Sequence, residues 1–527
     1  MKKMCKKVAF HNLGCKVNSY ELDVMRQILQ EEGYEEVSFH EAADIYIVNT
    51  CTVTNIADRK SRQMLHRAKK QNPDAVVVAV GCYVETDPAR VEKDDAIDLV
   101  IGNNRKSQVG VILSDFLAGR ENADGPIRES AQLMQKDAPA QEKPAFRSTE
   151  TRQPKQMQKA APAQEKPAFR EDLAGAPAFE SMRLENPGHT RAYIKIQDGC
   201  NQFCSYCIIP FARGRIRSRN PEEVLEEVTD LAGSGIREIV LTGIHISSYG
   251  LDFGAEGTVR FEPERSGAAL LDLIARLSAL DGIERIRLGS LEPRIMTEPF
   301  IKALSGMGKV CPHFHLSLQS GCDETLRRMN RHYTTGEYAR SVALLRRYYD
   351  RPAITTDVIV GFPGETEAEF AQTCSFLEEI GFYEIHVFRY SKRSGTAAAK
   401  MEFQIPEPVK AVRSSRLLAL TADQARAYRE QFAGEKETIL LEEICEKDGQ
   451  MYWTGSTARY VTGAVPVGNS GAKDPGESVY SPEIPHAEVS GTERSGERFA
   501  SGILLPGTMT AREVELSRGT CLEFVPA

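Results

Sequence analysis

The stretch that decides the fold reads "IKIQDGCNQFCSYCIIPFARGRIRSR" and covers residues 194–219. It places Cys200, Cys204 and Cys207, the central triad, within eight positions, directly after a predicted strand. Three thiols are one fewer than the four ligands of a closed structural zinc site. A [4Fe–4S] cube normally takes four cysteine thiolates, so a cube held by three keeps one iron open to an outside ligand. The rival interpretation is zinc bound by the three cysteines and a distant histidine.

Residues 1–118 alternate predicted strands and helices. Strands in "KKVAFHNLGC", "ADIYIVNTC" and "AVVVAVGC" lead to Cys15, Cys51 and Cys82, the N-terminal triad. This order predicts a parallel α/β sheet with right-handed crossovers. Ligands bind beyond the carboxyl ends of the strands in such sheets. We therefore expect the N-terminal triad to form a second metal site, with three separately buried thiols as the alternative.

A segment at 119–188 interrupts this alternation. It is rich in Pro, Gln, Glu, Lys and Ala, and "QKDAPAQEKPAFR" at 135–147 returns at 158–170 with one change. Polar, proline-rich sequence cannot bury a core, which predicts a disordered, duplicated linker.

The remaining chain divides into two further predicted domains. Six predicted strands separated by helical patterns in 189–430 indicate a partial (β/α) barrel, whose chemistry belongs at the strand carboxyl ends. Short strands with turn signals in 431–527 indicate a small β-barrel. Within it, 463–502 is rich in Gly, Ser, Pro and Glu and is predicted to be an exposed insertion. The fold class is α/β with a C-terminal β-barrel.

Composition sets limits on location and partners. The longest apolar run, "AVVVAV" at 75–80, is far shorter than the ~18 residues that cross a bilayer. No apolar segment follows the N-terminal lysines, so we expect a cytoplasmic protein without a membrane partner. Twelve cysteines in that compartment favour metal binding or redox chemistry over disulfides. A net charge of −8 argues against coating of nucleic acid but allows a local basic groove.

The cysteine motifs resemble those of a known family. "DGCNQFCSYCIIPFARGRIRSR" resembles the radical S-adenosylmethionine (SAM) signature in the form found in methylthiotransferases. "HNLGCKVNSYELD", "NTCTVTNIADRKSRQ" and "AVGCY" resemble the N-terminal cluster domain of that family, and the C-terminal barrel resembles its RNA-binding TRAM domain. The resemblance covers nearly the whole chain outside the linker and the insertion.

The resemblance implies two [4Fe–4S] clusters and SAM as cofactors. The central triad would hold the first cluster, whose open iron chelates SAM and whose electron cleaves it to a 5′-deoxyadenosyl radical. The N-terminal triad would hold the second cluster, which supplies the inserted sulfur. The radical would remove hydrogen from an aromatic carbon, with no side-chain base obviously needed. The electron would come from a donor such as flavodoxin or ferredoxin.

Four further positions match family stretches at strand ends of the central barrel. They are Gly243 in "LTGIH", Gln319 in "SLQSG", and Asp357 and Gly361 in "TTDVIVGFPGET". The resemblance implies that they lie near SAM. For each of them the alternative is an ordinary βα turn.

Three branches of the family differ in substrate. Lys16-Val17-Asn18 after the first cysteine is most similar to the branch that modifies C2 of threonylcarbamoyladenosine at position 37 of tRNA, next to the anticodon. The alternatives are the branch acting on isopentenyladenosine in tRNA and the branch acting on an aspartate of a ribosomal protein. A non-catalytic iron–sulfur RNA-binding protein is the alternative from another class, and cleavage of SAM would distinguish it.

Two basic segments agree with an RNA partner, the tRNA anticodon stem-loop. Alternating arginines follow the central triad, at Arg213, Arg215, Arg217 and Arg219. A predicted helix carries a second set, Arg59, Lys60, Arg62, Arg67, Lys69 and Lys70. We expect the arginines to contact phosphates or the carboxylate of a threonylcarbamoyl group, although a run of charge is usually a solvated face.

Overall fold

A computed structural model describes residues 6–121, 167–173, 177–187, 190–255, 259, 261–262, 266–467, 502–517 and 519–527. Most of the predicted linker, including the first copy of its repeat, lies outside the described residues. The same is true of 468–501 in the predicted insertion. No helix in the described part of the chain is long and apolar enough to cross a membrane.

The N-terminal domain is a parallel sheet with helices on both faces. Its strands are β1 (Lys7–Asn12), β2 (Glu35–Glu36), β3 (Ile45–Thr50), β4 (Val76–Gly81), β5 (Leu99–Ile101) and β6 (Ala168–Phe169). Its helices are α1 (Lys16–Glu31), α2 (Asn55–Gln71), α3 (Cys82–Thr86), α4 (Pro88–Glu92) and α5 (Val109–Glu121). The strand order is β2-β1-β3-β4-β5-β6. β3 and β4 are buried along their whole length, as expected for strands covered on both faces.

The end of the predicted linker differs from expectation. β6 pairs in parallel with β5 and forms the edge of the N-terminal sheet. Met182 and Leu184, two positions apart, are buried in the core beside α1, and the Tyr20 hydroxyl donates a 2.6 Å hydrogen bond to the Met182 carbonyl. The prediction of disorder up to residue 188 is therefore wrong for these stretches, because a short extended segment with alternating apolar side chains can complete an existing core.

The central domain is an open barrel of mostly parallel strands. Its strands are β7 (Ala192–Asp198), β8 (Arg217–Ser218), β9 (Glu238–Gly243), β10 (Arg285–Leu288), β11 (His313–His315), β12 (Ala353–Val360) and β13 (Glu384–Arg389). Its helices are α6 (Ile209–Ala212), α7 (Pro221–Gly233), α8 (Ala268–Ser278), α9 (Glu298–Ser305), α10 (Asp323–Arg328), α11 (Thr335–Tyr348), α12 (Glu367–Ile380) and α13 (Glu407–Glu430).

Two sheets form this barrel, a four-stranded sheet in the order β10-β9-β7-β8 and a three-stranded sheet in the order β11-β12-β13. Single bridges, such as Leu291 with Leu316, join them. β8 is antiparallel to β7, and the other pairings are parallel. All six predicted strands are present, which confirms the α/β prediction.

The C-terminal domain is a closed barrel in the order β14-β15-β16-β18-β17. Its strands are β14 (Lys436–Lys447), β15 (Gln450–Ser456), β16 (Thr462–Pro466), β17 (Leu504–Leu516) and β18 (Gly519–Pro526). The predicted insertion at 463–502 therefore begins too early, because β16 pairs with both β15 and β18 and the small Gly463 and Ala464 are buried inside the barrel. Arg285 and Arg287 donate 2.9 Å hydrogen bonds to backbone carbonyls of this domain.

Candidate active site

The central triad lies in the loop between β7 and α6, beyond the carboxyl end of β7. The amide of Cys200 donates to the Gly214 carbonyl at 3.0 Å, and the amide of Cys207 donates to the Cys204 carbonyl at 2.9 Å. The loop begins at Gly199, where φ is +69° and an added Cβ would lie 1.7 Å from the Arg215 carbonyl oxygen. Only glycine fits there, so the tight start of the loop turns the three thiols into one pocket.

This pocket has a volume of about 280 Å³ and opens at the carboxyl ends of the barrel strands. All three cysteines of the central triad line it, together with Gln319, Asp357 and the Val53–Thr54 segment that follows β3. Gly243 and Gly361 are not among its described walls. An added Cβ at Gly243 would lie 2.9 Å from the Gln197 carbonyl oxygen, and one at Gly361 would lie 2.3 Å from Lys410, so protein packing already accounts for both glycines.

Charged side chains that sequence reasoning missed lie beside the central triad. Arg331 donates from Nη1 to the Sγ of Cys204 at 3.3 Å and lies 3.3 Å from the Glu292 carboxylate. Burial opposes ionisation of Glu292, but Arg331 and His245 outweigh it and hold its pKa well below its ordinary value. Position in the sequence was the available signal: Glu292 lies in the loop after β10, and Arg331 lies in the segment between β11 and α11, where such barrels carry function.

The N-terminal triad meets at one edge of its sheet. Cys15 caps α1 after β1, Cys51 directly follows β3, and Cys82 begins α3 directly after β4. An added Cβ at Gly14 would lie 3.2 Å from the Sγ of Cys51. β1, β3 and β4 are neighbours in register, with Asn12 opposite Asn49 and Thr50 opposite Gly81, so the three cysteines that follow them lie at the same edge.

Arg213 connects the two triads. Its guanidinium donates to the Sγ of Cys82 at 3.2 Å, to Glu21 at 2.8 Å and to Asp198 at 3.0 Å. Asp198 lies two positions before Cys200. A fully buried cation of this kind requires such partners, so Arg213 holds α1 of the N-terminal domain against the loop of the central triad.

Three of the four alternating arginines are too deeply buried to form the phosphate clamp that the sequence suggested. Three of them are at most 3 % exposed, namely Arg213, Arg217 and Arg219. Arg217 lies 3.6 Å from Asp198, and Arg219 pairs with the buried Glu227. The fourth, Arg215, stacks on the Phe203 ring at 4.6 Å. The sequence predicted a row that contacts phosphates or a substrate carboxylate, but carboxylates of the protein hold the three buried members and only Arg215 is partly exposed.

The basic surface on α2 remains available. Its exposed cations are Arg59, Lys60, Arg67 and Lys70. The helix begins at the pocket, because Thr54 both lines the pocket and caps α2 by accepting a 3.1 Å hydrogen bond from the Ala57 amide.

Lys16 is the first residue of α1 and follows Cys15 directly. Burial, together with Arg287 and Arg191, lowers the pKa of Lys16 to about 8. Among the described residues, none forms an ion pair or hydrogen bond with its ammonium. Lys16 is therefore a partly buried cation without a bonded partner among the described residues; its charge lies near those of Arg287, Arg191 and Glu238, and it is not among the described walls of the pocket.

Both triads have the donor chemistry of a metal cluster. Burial, together with the thiol of Cys82, raises the pKa of Cys51 to about 12, and burial with Cys204 raises the pKa of Cys207 to about 12. Thiols in such surroundings ionise only when a cation compensates, as it does for metal ligands. The guanidinium groups of Arg213 and Arg331 donate to the sulfurs of Cys82 and Cys204, and contacts of this kind tune iron–sulfur clusters. Three thiols at each of two sites fit two [4Fe–4S] clusters.

Comparison with known proteins agrees with this chemistry. Residues 7–102 match the family model "Uncharacterized protein family UPF0004", and residues 194–377 match the radical SAM superfamily. The chain is 39 % identical to the threonylcarbamoyladenosine tRNA methylthiotransferase MtaB of Bacillus subtilis, over 86 % of this chain and 89 % of that protein. It is 36 % identical to the MtaB of Aquifex aeolicus, over 83 % and 93 % of the two chains.

A relative named for another tRNA substrate and a solved structure both have lower sequence identity to this chain than these two MtaB proteins. The tRNA-2-methylthio-N(6)-dimethylallyladenosine synthase of Acetivibrio thermocellus is 32 % identical, over 85 % of this chain and 82 % of that protein. The radical SAM methyltransferase TsrM of Kitasatospora setae aligns with a TM-score of 0.48 at 19 % identity, over 73 % of this chain and 72 % of that one. The extent of the MtaB matches decides the family: the chain belongs to the radical SAM tRNA methylthiotransferases, enzymes that use SAM and [4Fe–4S] clusters.

Proposed function

We propose that this enzyme inserts a methylthio group at C2 of threonylcarbamoyladenosine-37 in tRNA. One observation carries the chemistry: two cysteine triads lie beyond the carboxyl ends of parallel strands in neighbouring domains, and Arg213 bridges Cys82 of one triad to Asp198 before the loop of the other. The substrate rests on two of the MtaB relatives, at 39 % and 36 % identity, which exceed the dimethylallyladenosine relative at 32 %.

We assign the central triad to the cluster that binds SAM and the N-terminal triad to the auxiliary cluster. When bound, these groups supply the electron for SAM cleavage and the sulfur for insertion. The protein orients and shields them. Arg331 and Arg213 donate to the sulfurs of Cys204 and Cys82. The pocket wall supplies hydrogen-bonding groups for the polar parts of SAM from Gln319, and Asp357 stands in the same wall.

The experiment that tests the substrate is nucleoside mass spectrometry of tRNA from a strain lacking the gene. We expect 2-methylthio-threonylcarbamoyladenosine to disappear and threonylcarbamoyladenosine to accumulate, with restoration by a plasmid copy. Loss of the methylthio group from isopentenyladenosine instead would move the enzyme to that branch. Loss of a modified ribosomal-protein aspartate would remove tRNA as the substrate.

Substrate choice should depend on Lys16. The threonylcarbamoyl group carries a carboxylate whereas the isopentenyl group is apolar, and three of the four arginines that the sequence suggested for this task are buried. Lys16, beside Cys15, is a cation without a bonded partner among the described residues. We expect Lys16→Met to lower kcat/KM on threonylcarbamoylated tRNA roughly ten- to a hundredfold, as for removal of a hydrogen bond to a charged group. In vitro turnover of transcripts carrying the modification measures it.

Lys16→Arg is the matched control, because it keeps the charge and should retain most activity. Iron content and SAM cleavage without tRNA should be unchanged in both variants. Full activity of Lys16→Met would contradict the role in substrate choice, and a fall in iron would show that the residue serves the cluster site instead.

The exposed face of α2 is the proposed phosphate-binding surface. Replacing Arg59 and Lys60 together with Gln should weaken tRNA binding and lower the slope of log K against log salt by about 0.7 for each phosphate that is no longer neutralised. SAM cleavage without tRNA should not change. The matched control replaces two exposed cations on outer helices of the central barrel, Lys302 and Arg340, with Gln. An unchanged salt slope in the α2 variant would exclude this face.

Three further assignments complete the proposal. The C-terminal barrel is a TRAM-like module that contacts the tRNA outside the pocket. A low-potential donor of the flavodoxin or ferredoxin class supplies the electron. The enzyme works in the cytoplasm, where its tRNA substrate is found.

A further inference from the structure

Three potential metal ligands other than the cysteines meet inside the central barrel. They are His315 on β11, Asp357 on β12 and His386 on β13, which are adjacent strands of one parallel sheet. One ligand atom from each residue lies within 4.8 Å of the other two. Asp357 and His386 are direct partners in the strand register.

Strand alternation explains why these side chains share a face. Their neighbours Phe314, Val358 and Ile385 belong to the core under the outer helices. Side chains at alternate positions, including the three potential ligands, point the opposite way, toward the barrel interior. Asp357 also lines the pocket of the central triad, so this group of ligands is open to that pocket.

The histidine on β11 is oriented as a metal ligand would be. The Nδ1 of His315 lies 3.1 Å from the hydroxyl of Thr355, which in turn lies 3.3 Å from the Nε2 of His313. The Nε2 of His315 is a buried atom with no hydrogen bond in the described structure and lies 3.3 Å from the Asp357 carboxylate. A metal-bound histidine usually bonds a polar group through one ring nitrogen and the metal through the other.

We propose that His315, Asp357 and His386 bind a divalent first-row metal ion in the barrel interior, a third metal site besides the two cysteine triads. Two imidazoles and a carboxylate are the ligand set of mononuclear zinc and non-haem iron sites with open positions. Ligand bonds of about 2.1 Å keep ligand atoms within about 4.2 Å of one another. The exposed His386 side chain closes the remaining gap by rotating about its own bonds. The open positions face the pocket and accept water or an oxygen of a bound ligand.

The test uses the enzyme with both clusters assembled, cleared of loose metal on a chelating resin under anaerobic conditions. Zinc chloride is titrated in, and bound zinc, iron and sulfide are measured by elemental analysis. We expect one zinc per chain at micromolar zinc with no fall in iron. His386→Ala, a change at an exposed position, should remove this zinc. Thr355→Val should weaken binding roughly ten- to a hundredfold by releasing the His315 ring.

His332→Ala is the control, because this exposed histidine lies outside the three ligands. It should bind zinc as the unchanged enzyme does. Equal zinc binding in the His386→Ala variant, or no zinc in the unchanged enzyme, would overturn the proposal. Because the readout is bound metal, the result does not depend on which nucleoside the enzyme modifies.

Discussion

Replacing Cys200, Cys204 and Cys207 together with Ala should lower the iron content of the reconstituted enzyme from about eight atoms per chain to about four and abolish SAM cleavage. The three thiols line one pocket, and no other described cysteine does so. Removal of all three leaves nothing to hold a cluster there. Iron and sulfide analysis, with chromatography of 5′-deoxyadenosine under reduction, measures both effects.

The matched control is Cys374→Ala, which removes a buried thiol on α12. It should keep full iron and full SAM cleavage. Full iron in the central-triad variant would contradict the assignment of that cluster. Surviving formation of 5′-deoxyadenosine would contradict the place of SAM.

Replacing Cys15, Cys51 and Cys82 together should separate the two halves of the reaction. We expect iron to fall to about four atoms per chain, 5′-deoxyadenosine to be formed still, and methylthiolated nucleoside to vanish. The reason is that this triad lies on the N-terminal sheet, whereas the pocket of the central triad is built mainly by the barrel.

The second experiment requires that the two domains stay together when Arg213 loses its contact with Cys82. Its hydrogen bond to Cys82 disappears, but its hydrogen bonds to Glu21 and Asp198 remain and should keep the domains together. An unchanged melting transition checks this. If the variant still made methylthiolated product, the three thiols would be structural and the strand-end argument would be wrong.

Most of the fold was readable in the sequence because its signals are local. Three strands of the N-terminal sheet end close before their cysteines, and six strands of the central barrel appear as apolar runs between helical patterns. The errors occurred where local composition was misleading. Met182 and Leu184 lie next to polar sequence, and β16 begins in a Gly-containing stretch, yet each completes a core built by other segments.

The sequence by itself was enough to group the two cysteine triads and to indicate the family. The central triad lies within one loop, the N-terminal triad follows three strands of one parallel sheet, and the motifs around both resemble those of the family. Only the tertiary structure decided the role of the charges. Arg213 and its partner Glu21 lie 192 positions apart, and burial of one depends on the other. The meeting of His315, Asp357 and His386 likewise depends on strand register. Electrostatic pairing and ligand geometry act through space, and a linear pattern does not record them.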